Sequence, residues 1–418
     1  MVIGYHDMKR IKNFITHPFI LGSSIMVIGS MFVNVINFVY HILMGRFLGP
    51  VQYGVLASVF SVLYIISIVP QSANVSIVKF ISSSFDIEDQ SKTYWALKRF
   101  VVKFGIFIAL FIFLVSPFIM TYLHLDSIYK VIYLAPIFYL SLHATYNQAV
   151  AQGKLDFLSA VIPNFISGAG KLLIGLLLVV LGFAVDGALF GILIAVLIAV
   201  LYLERWSTKK FIKIENISFD YSKFIKYSIP VIVQALALTA FVSLDVILAR
   251  HYFLSFDAGL YAALSTLGKI VYFATTPVFS VMFPNIVKSH AQNKPTYKYF
   301  FLSIFFVMII SFFALFTFTF FHRQIFQFSY GSQYFGFDNL LPFFGLYMVV
   351  YSFVGILIFY NLALGKTFVS YIALFGSVVY ILSIFLFHMS VMNMIVASIF
   401  SCLFLLLLLT VYTILSFE

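Results

Sequence analysis

Lys171, Asp245 and Lys269 are the residues with which this chain could do chemistry, because each stands inside a long apolar run. Holding an ionised side chain at the centre of a bilayer costs about 2.5 to 3.5 kcal/mol even on lenient insertion scales, so such residues are functional candidates by default. Lys171 sits within NFISGAGKLLIG, where Gly168 and Gly170 let another backbone or a ligand headgroup come close. Lys269 follows Gly268, and Asp245 precedes Arg250 by five residues. Fixed ammonium and guanidinium groups in a wet crevice offer Coulomb partners to an anion, worth about 4 kcal/mol per unit pair at 4 Å with an effective dielectric near 20. The sequence therefore nominates Lys171 and Lys269 as cavity cations, with Arg46 and Arg250 at the outer mouth. Asp245 has two readings: a proton or Na⁺ site coupled to an ion gradient, or a structural counter-charge for Arg250 or Lys269. Arg46 and Arg250 have a second reading too, as interfacial anchors.

A softer set of polar residues falls in the same apolar runs: Asn34, Asn37, Asn74, Asn147, Gln148, Asn164 and Gln234. They would line a polar seam and hydrogen-bond hydroxyl-rich ligands, although helix-to-helix hydrogen bonding is the cheaper use of each. Other chemistries lack material. No HExxH occurs, no glycine-rich loop ends in GK[ST], and Cys402 is the only cysteine, so zinc hydrolysis, nucleotide-driven work and disulfides are not expected. No cofactor is expected beyond a coupling H⁺ or Na⁺.

These residues need a bilayer scaffold to position them. Only 9% of the chain is charged and 63% is hydrophobic, a composition that cannot cover the surface of a water-soluble domain. A membrane helix needs roughly 20 apolar residues in succession. Such stretches are expected at 19–44, 55–81, 101–123, 128–152, 157–181, 186–203, 228–250, 259–287, 299–321, 340–362, 367–387 and 391–416. Helices are preferred over a barrel because runs such as Leu172 to Leu181 are apolar on every face. The first stretch follows Lys9, Arg10 and Lys12 but is too long for a signal h-region, so it is expected to remain as a span. With both termini cytoplasmic, most Lys and Arg fall on the inner side, whereas Arg46, Lys130, Arg250 and Arg323 fall outside. The formal charge of +11 is thus a topology signal and not a nucleic-acid footprint.

The chain also reads as two copies of one plan. GRFLGPVQYGVLAS from Gly45 and ARHYFLSFDAGLYAALS from Ala249 each begin small-then-Arg and reach a glycine, Gly54 or Gly259, at the mouth of the next span. YNQAVAQGKLDF from Tyr146 pairs with YNLALGKTFVSY from Tyr360, which puts Gly153-Lys154 and Gly365-Lys366 in the same turn. The expected organisation is an N-terminal six-helix half over 1–203, a linker over 204–227 able to lie along the inner interface, and a C-terminal six-helix half over 228–418. An even number of spans per half makes this a parallel repeat.

Together, GRFLGPVQYG, DAGLYAA from Asp257, FSYGSQYFGFDNLL from Phe328 and the AQGKLDF and ALGKTF turns resemble the polysaccharide-transport branch of the multidrug/oligosaccharidyl-lipid/polysaccharide exporter superfamily. That resemblance implies an all-α polytopic membrane protein of about 12 transmembrane helices, in two six-helix lobes with a parallel pseudo-two-fold repeat and a V-shaped central cavity. It implies a flippase, not an enzyme, moving undecaprenyl-diphosphate-linked oligosaccharide of O-antigen, capsule or exopolysaccharide type from the inner to the outer leaflet of a bacterial cytoplasmic membrane. Its partners would be the lipid-linked glycan, membrane lipids, and the polymerase and glycosyltransferases of the same pathway. Two alternatives stand beside it: a cation-coupled multidrug antiporter of the same superfamily, and a non-transporting scaffold in polysaccharide assembly. The relatives' cation site on the seventh and eleventh spans is expected to be incomplete here, because Tyr371 to Phe387 contains no acid.

Overall fold

The computed structural model describes residues 18–82, 86–214 and 219–416. Lys9, Arg10 and Lys12 and the linker residue Ile217 lie outside the described residues. The described chain is helical, and each of the twelve expected spans is found as helix. In order these are α1 (Pro18–Ile66), α2 (Ile68–Ser82), α3 (Ile87–Tyr122), α4 (Tyr129–Ile132), α5 (Leu134–Gly153), α6 (Phe157–Leu178), α7 (Ala184–Thr208), α8 (Tyr221–Tyr252), α9 (Ser255–Gly268), α10 (Ile270–Ala291), α11 (Tyr297–Ser329), α12 (Leu341–Ala363), α13 (Val369–Leu386) and α14 (Val391–Leu415). Among the described residues nine helical runs are long and apolar enough to cross a membrane. Two of these, Ile28–Ser82 and Phe157–Ser207, each carry two of the expected spans.

Three expected spans are broken, and in two of them a proline explains where. Helix α2 restarts after Ser67 with Pro70 in its first turn, and α5 restarts after Tyr133 with Pro136 in its first turn, where a missing N–H costs nothing. The eighth span is divided at Lys269 into α9 and α10. Conversely, the first two spans are one helical run, bent where Gly49 takes φ 70° ahead of Pro50. Helix also runs further into the linker than the composition indicates: α7 continues through Thr208 and α8 starts at Tyr221.

The two turns after the fourth and tenth spans are alike, but in a register different from that of their Gly-Lys pairs. Leu155 at φ 59° and Gly365 at φ 78° are the left-handed residues. Asp156 N–H donates to Ala151 C=O and Lys366 N–H to Asn361 C=O, both at 2.9 Å, the same six-residue closure. Leu155 therefore corresponds to Gly365, and Gly153 ends its helix two residues earlier. After the first turn Asp156 caps α6, its Oδ1 accepting from Ser159 N–H at 3.2 Å.

The fold also separates the aromatics. Phe301, Phe305, Phe312, Phe316 and Phe320 are exposed along α11, as a lipid-facing surface requires. Tyrosines supply most of the largest fully buried side chains. Several spend their hydroxyl on a carbonyl: Tyr146 on Tyr94 at 2.6 Å, Tyr351 on Leu238 at 2.7 Å and Tyr334 on Gly45 at 2.8 Å. A phenol fills interior volume and still satisfies its polar end.

Two compact units emerge. The first comprises Met1–His41, Val69–Ile119 and Ser127–Ser228; the second comprises Ile42–Ile68, Met120–Asp126 and Ile229–Glu418. Two short pieces of the first sequence half thus pack within the second unit. One reason lies in the repeat glycines. Gly54 of α1 and Gly259 of α9, singled out above as equivalent, are neighbours, with backbone against backbone. A two-fold axis relating the repeats brings equivalent positions into contact where they lie beside it. A methyl group at Gly259 would collide with the Pro50 carbonyl, which has no flexible side chain to yield. Gly259→Leu is accordingly expected to destabilise the protein by more than the ~1–3 kcal/mol of ordinary overpacking. A fall of at least several degrees in Tm, measured in detergent, is the check.

Candidate functional site

Asp245 of α8 is fully buried, and the structure brings Lys269 to it. Lys269 Nζ lies 3.0 Å from both carboxylate oxygens. Ser265 Oγ donates to Oδ2 at 2.6 Å, and the Tyr261 hydroxyl approaches the same oxygen at 3.5 Å. Lys269 stands at the junction of α9 and α10, so its ammonium crosses to α8 while Ser265 and Tyr261, four and eight residues earlier, share the same helix face. Such a pair carries no net charge. An anion reaching Lys269 would have to compete with Asp245, and a cation reaching Asp245 would have to displace an ammonium. The separation of Asp245 from Arg250 along the helix does not make them partners; Arg250 is engaged elsewhere.

Lys171 is placed differently. It is half-buried on α6 in the first unit, with Nζ 4.9 Å from the centre of the Tyr40 ring of α1, a cation–π distance. The nearby glycines admit helices: Gly168 faces Val33, Ile36 and Asn37 of α1, and Gly170 faces Ala195 of α7.

Arg46 and Arg250 perform one task twice. Arg46, exposed near the bend of α1, donates Nε to Ser329 C=O at 2.7 Å and Nη2 to the carbonyls of Phe328 and of Gln327, the latter at 3.4 Å. These are the last carbonyls of α11. Arg250, buried at the end of α8, donates Nε to Leu123 C=O at 3.0 Å and Nη2 to His124 C=O at 3.1 Å, just past α3. Both receiving helices end in a left-handed residue, His124 at φ 48° and Gly331 at φ 90°. The first span thus caps the ninth and the seventh caps the third, an exchange symmetric under the repeat. A guanidinium also complements the negative end of each helix dipole. Beside Arg46, the Tyr53 hydroxyl bonds Thr266 Oγ1 at 3.0 Å and the Tyr330 hydroxyl at 3.2 Å.

Of the softer residues, Asn34 and Asn164 are exposed, and Asn37, Asn74, Gln148 and Gln234 are half-buried. Asn147 is fully buried and belongs to a cluster that sequence reading missed. Glu204 receives Lys98 Nζ at 2.7 Å and Asn147 Nδ2 at 3.3 Å, with His143 Nδ1 at 3.9 Å. Tyr94 joins by donating to Ser207 at 3.0 Å. Lys98 and Glu204 read as solvated charges flanking a span and a linker. Only the continuation of α3 and α7 beyond their apolar cores brings them face to face with α5. A signal was present in Asn147 and His143, spaced four apart on one helix face.

Removing one member of a buried ion pair leaves the other uncompensated, at a cost of ~3–5 kcal/mol, whereas removing both is far milder. Asp245→Asn and Lys269→Met are each expected to lower Tm in detergent, and the double variant to regain most of the loss. Single variants as stable as the parent would show that the pair does not hold the fold.

Residues 20–290 match the family described as polysaccharide biosynthesis protein. Among curated proteins, none matches the chain. Among solved structures, a multidrug resistance MATE family transporter of the MOP superfamily, in an inward-facing conformation, superposes with a TM-score of 0.78 at 12% identity, covering 91% of this chain and 94% of its own. The lipid II flippase MurJ, in an inward closed conformation, superposes with a TM-score of 0.73 at 15% identity, covering 94% and 88%. A eukaryotic MATE transporter, AtDTX14, gives a TM-score of 0.64 at 14% identity, covering 94% of each chain. At these identities the structural likeness establishes the fold alone, an all-helical one. The family match covers residues 20–290, well over half of the chain, and on it the chain belongs to the polysaccharide biosynthesis protein family, with the long apolar helices of a multi-pass membrane protein.

Proposed function

We propose that the protein flips undecaprenyl-diphosphate-linked oligosaccharide, a repeat unit of O-antigen, capsule or exopolysaccharide, from the inner to the outer leaflet of a bacterial cytoplasmic membrane by alternating access. The carrying observation is Lys171, an ammonium at bilayer depth held against Tyr40 in a chain of this family. Its counterpart in the substrate is the diphosphate, which cannot cross hydrocarbon without a cation, while the isoprenoid tail stays in lipid. Positive-inside asymmetry supports cytoplasmic termini. The polymerase and glycosyltransferases that make and consume the lipid-linked glycan are the proposed partners.

Lys269 serves in this reading through its pair with Asp245, whose neutrality lets a polar group persist inside the helices. Pairing supports a structural role for Asp245 more than an H⁺ or Na⁺ site. Arg46 and Arg250 act as outer clasps that yield when cargo is released. Each bond between a guanidinium and a neutral carbonyl is modest enough, at about 1.5–3 kcal/mol, to be exchanged for water in a transport cycle. Tyr40, against Lys171, and Asn37, which faces Gly168 on the helix of Lys171, are the proposed sugar- or phosphate-side neighbours. A multidrug antiporter is the second reading, favoured by the fold likeness to a multidrug transporter. It would need a carboxylate ready for a cationic drug.

Lys171→Ala is expected to cut export of lipid-linked glycan at least about tenfold at equal membrane levels, the loss of one charge-assisted contact, with Lys171→Arg retaining part of it. Undiminished export in Lys171→Ala removes the lysine from the mechanism; ethidium efflux that disappears in Asp245→Asn would favour the drug reading instead. For the clasps, a Cys402→Ser chain carrying Thr266→Cys is expected to react faster with a membrane-impermeant maleimide once Arg46→Ala and Arg250→Ala are added. Unchanged labelling would confine both arginines to helix capping.

A further inference from the structure

One face of α7 changes character steadily along its length. Ile198 and Leu201 are exposed and aliphatic, Tyr202 and Trp206 follow, and Arg205 and Lys209 complete the stripe. The spacing of three and four residues keeps all six on one side of the helix. Together with Ile166 of α6 and Lys210, they line an open groove of about 610 Å³ within the first unit. Trp206 is fixed in place, its Nε1 donating to the Asp156 carboxylate at 3.1 Å. Lys154, over the Phe211 ring at 4.4 Å, adds a further cation at this end; burial and the nearby Lys210 pull its ammonium below the ordinary lysine value.

We infer that this groove is a binding site for an anionic phospholipid, separate from the transport site. An acyl chain fits along Ile166, Ile198 and Leu201. The amphipathic rings of Tyr202 and Trp206 stand at the ester level, where such rings concentrate in membrane proteins. The phosphodiester meets Arg205, Lys209 and Lys210, a basic pocket between helices of the kind that selects anionic headgroups. Three cations over an apolar slot would repel a cationic lipid and gain little from a zwitterionic one. The groove is not an extension of the candidate transport cation, because Ile166 and Lys171 are five residues apart on α6, about 140° around the helix. Lys171 turns to Tyr40 of α1, and Ile166 to α7.

The chain has only two tryptophans, Trp95 and Trp206, so a Trp95→Phe variant reports from the groove alone. In vesicles of phosphatidylcholine, phosphatidylglycerol brominated on its acyl chains is expected to quench Trp206 at least about fivefold more effectively, per mole, than brominated phosphatidylcholine, given the attraction of several basic residues to anionic lipid. Arg205→Gln, Lys209→Gln and Lys210→Gln combined should abolish that preference, while Lys223→Gln with Lys226→Gln should leave it. Native mass spectrometry of the parent chain, with Trp95 intact, should show the same order of retention. Equal quenching by the two lipids, or a preference that survives the triple variant, overturns the proposal. Relief of quenching by polyprenyl diphosphate well below the phosphatidylglycerol concentration would overturn it too, by assigning the groove to the transported lipid.

Discussion

A helix that ends at the edge of a bilayer leaves carbonyls with no intrahelical partner, and hydrocarbon offers none in exchange. Much of the second unit is organised by how two such ends are satisfied. Arg46 closes the end of α11 and Arg250 the end of α3, each arginine coming from the opposite copy of the repeat. Because the donors stand just beyond the first and seventh spans, these bonds draw residues 42–68 and 120–126 into the unit formed by the C-terminal helices. The close crossing of Gly54 and Gly259 and the Tyr53, Thr266 and Tyr330 hydrogen bonds lie beside the Arg46 clasp and share its consequence.

The same demand for internal satisfaction governs the charges. Asp245 and Lys269 neutralise each other, with Ser265 filling a further lone pair, and Glu204 is met by Lys98 and Asn147. Asp245 and Glu204 thus each stand beside an ammonium group, since leaving either uncompensated would cost several kcal/mol. Lys171 rests against the Tyr40 ring.

Conformational change in this fold is constrained by which bonds are exchangeable. A guanidinium-to-carbonyl bond is of a kind that water can replace. The glycine crossing cannot be loosened as cheaply, since it is backbone against backbone. The structure thus combines a backbone-on-backbone glycine crossing with guanidinium-to-carbonyl bonds beside it.

The sequence by itself determined the number and approximate limits of the spans, because twenty-residue apolar runs have one stable form in lipid, and it exposed the repeat through motifs such as GRFLGPVQYG. It also gave the identity of the rare intramembrane charges. Tertiary structure decided what those charges do. Whether Lys269 meets cargo or Asp245 depends on a rotation of helix faces that no local pattern encodes, and the reach of Arg46 to residues 283 positions away is a long-range contact invisible to periodicity. The breaks at Ser67 and Tyr133 were legible in Pro70 and Pro136, whereas the pairing of Glu204 with Lys98 was not. Hydropathy reports how much a residue dislikes water; it carries no information about which partner, far along the chain, makes its burial tolerable.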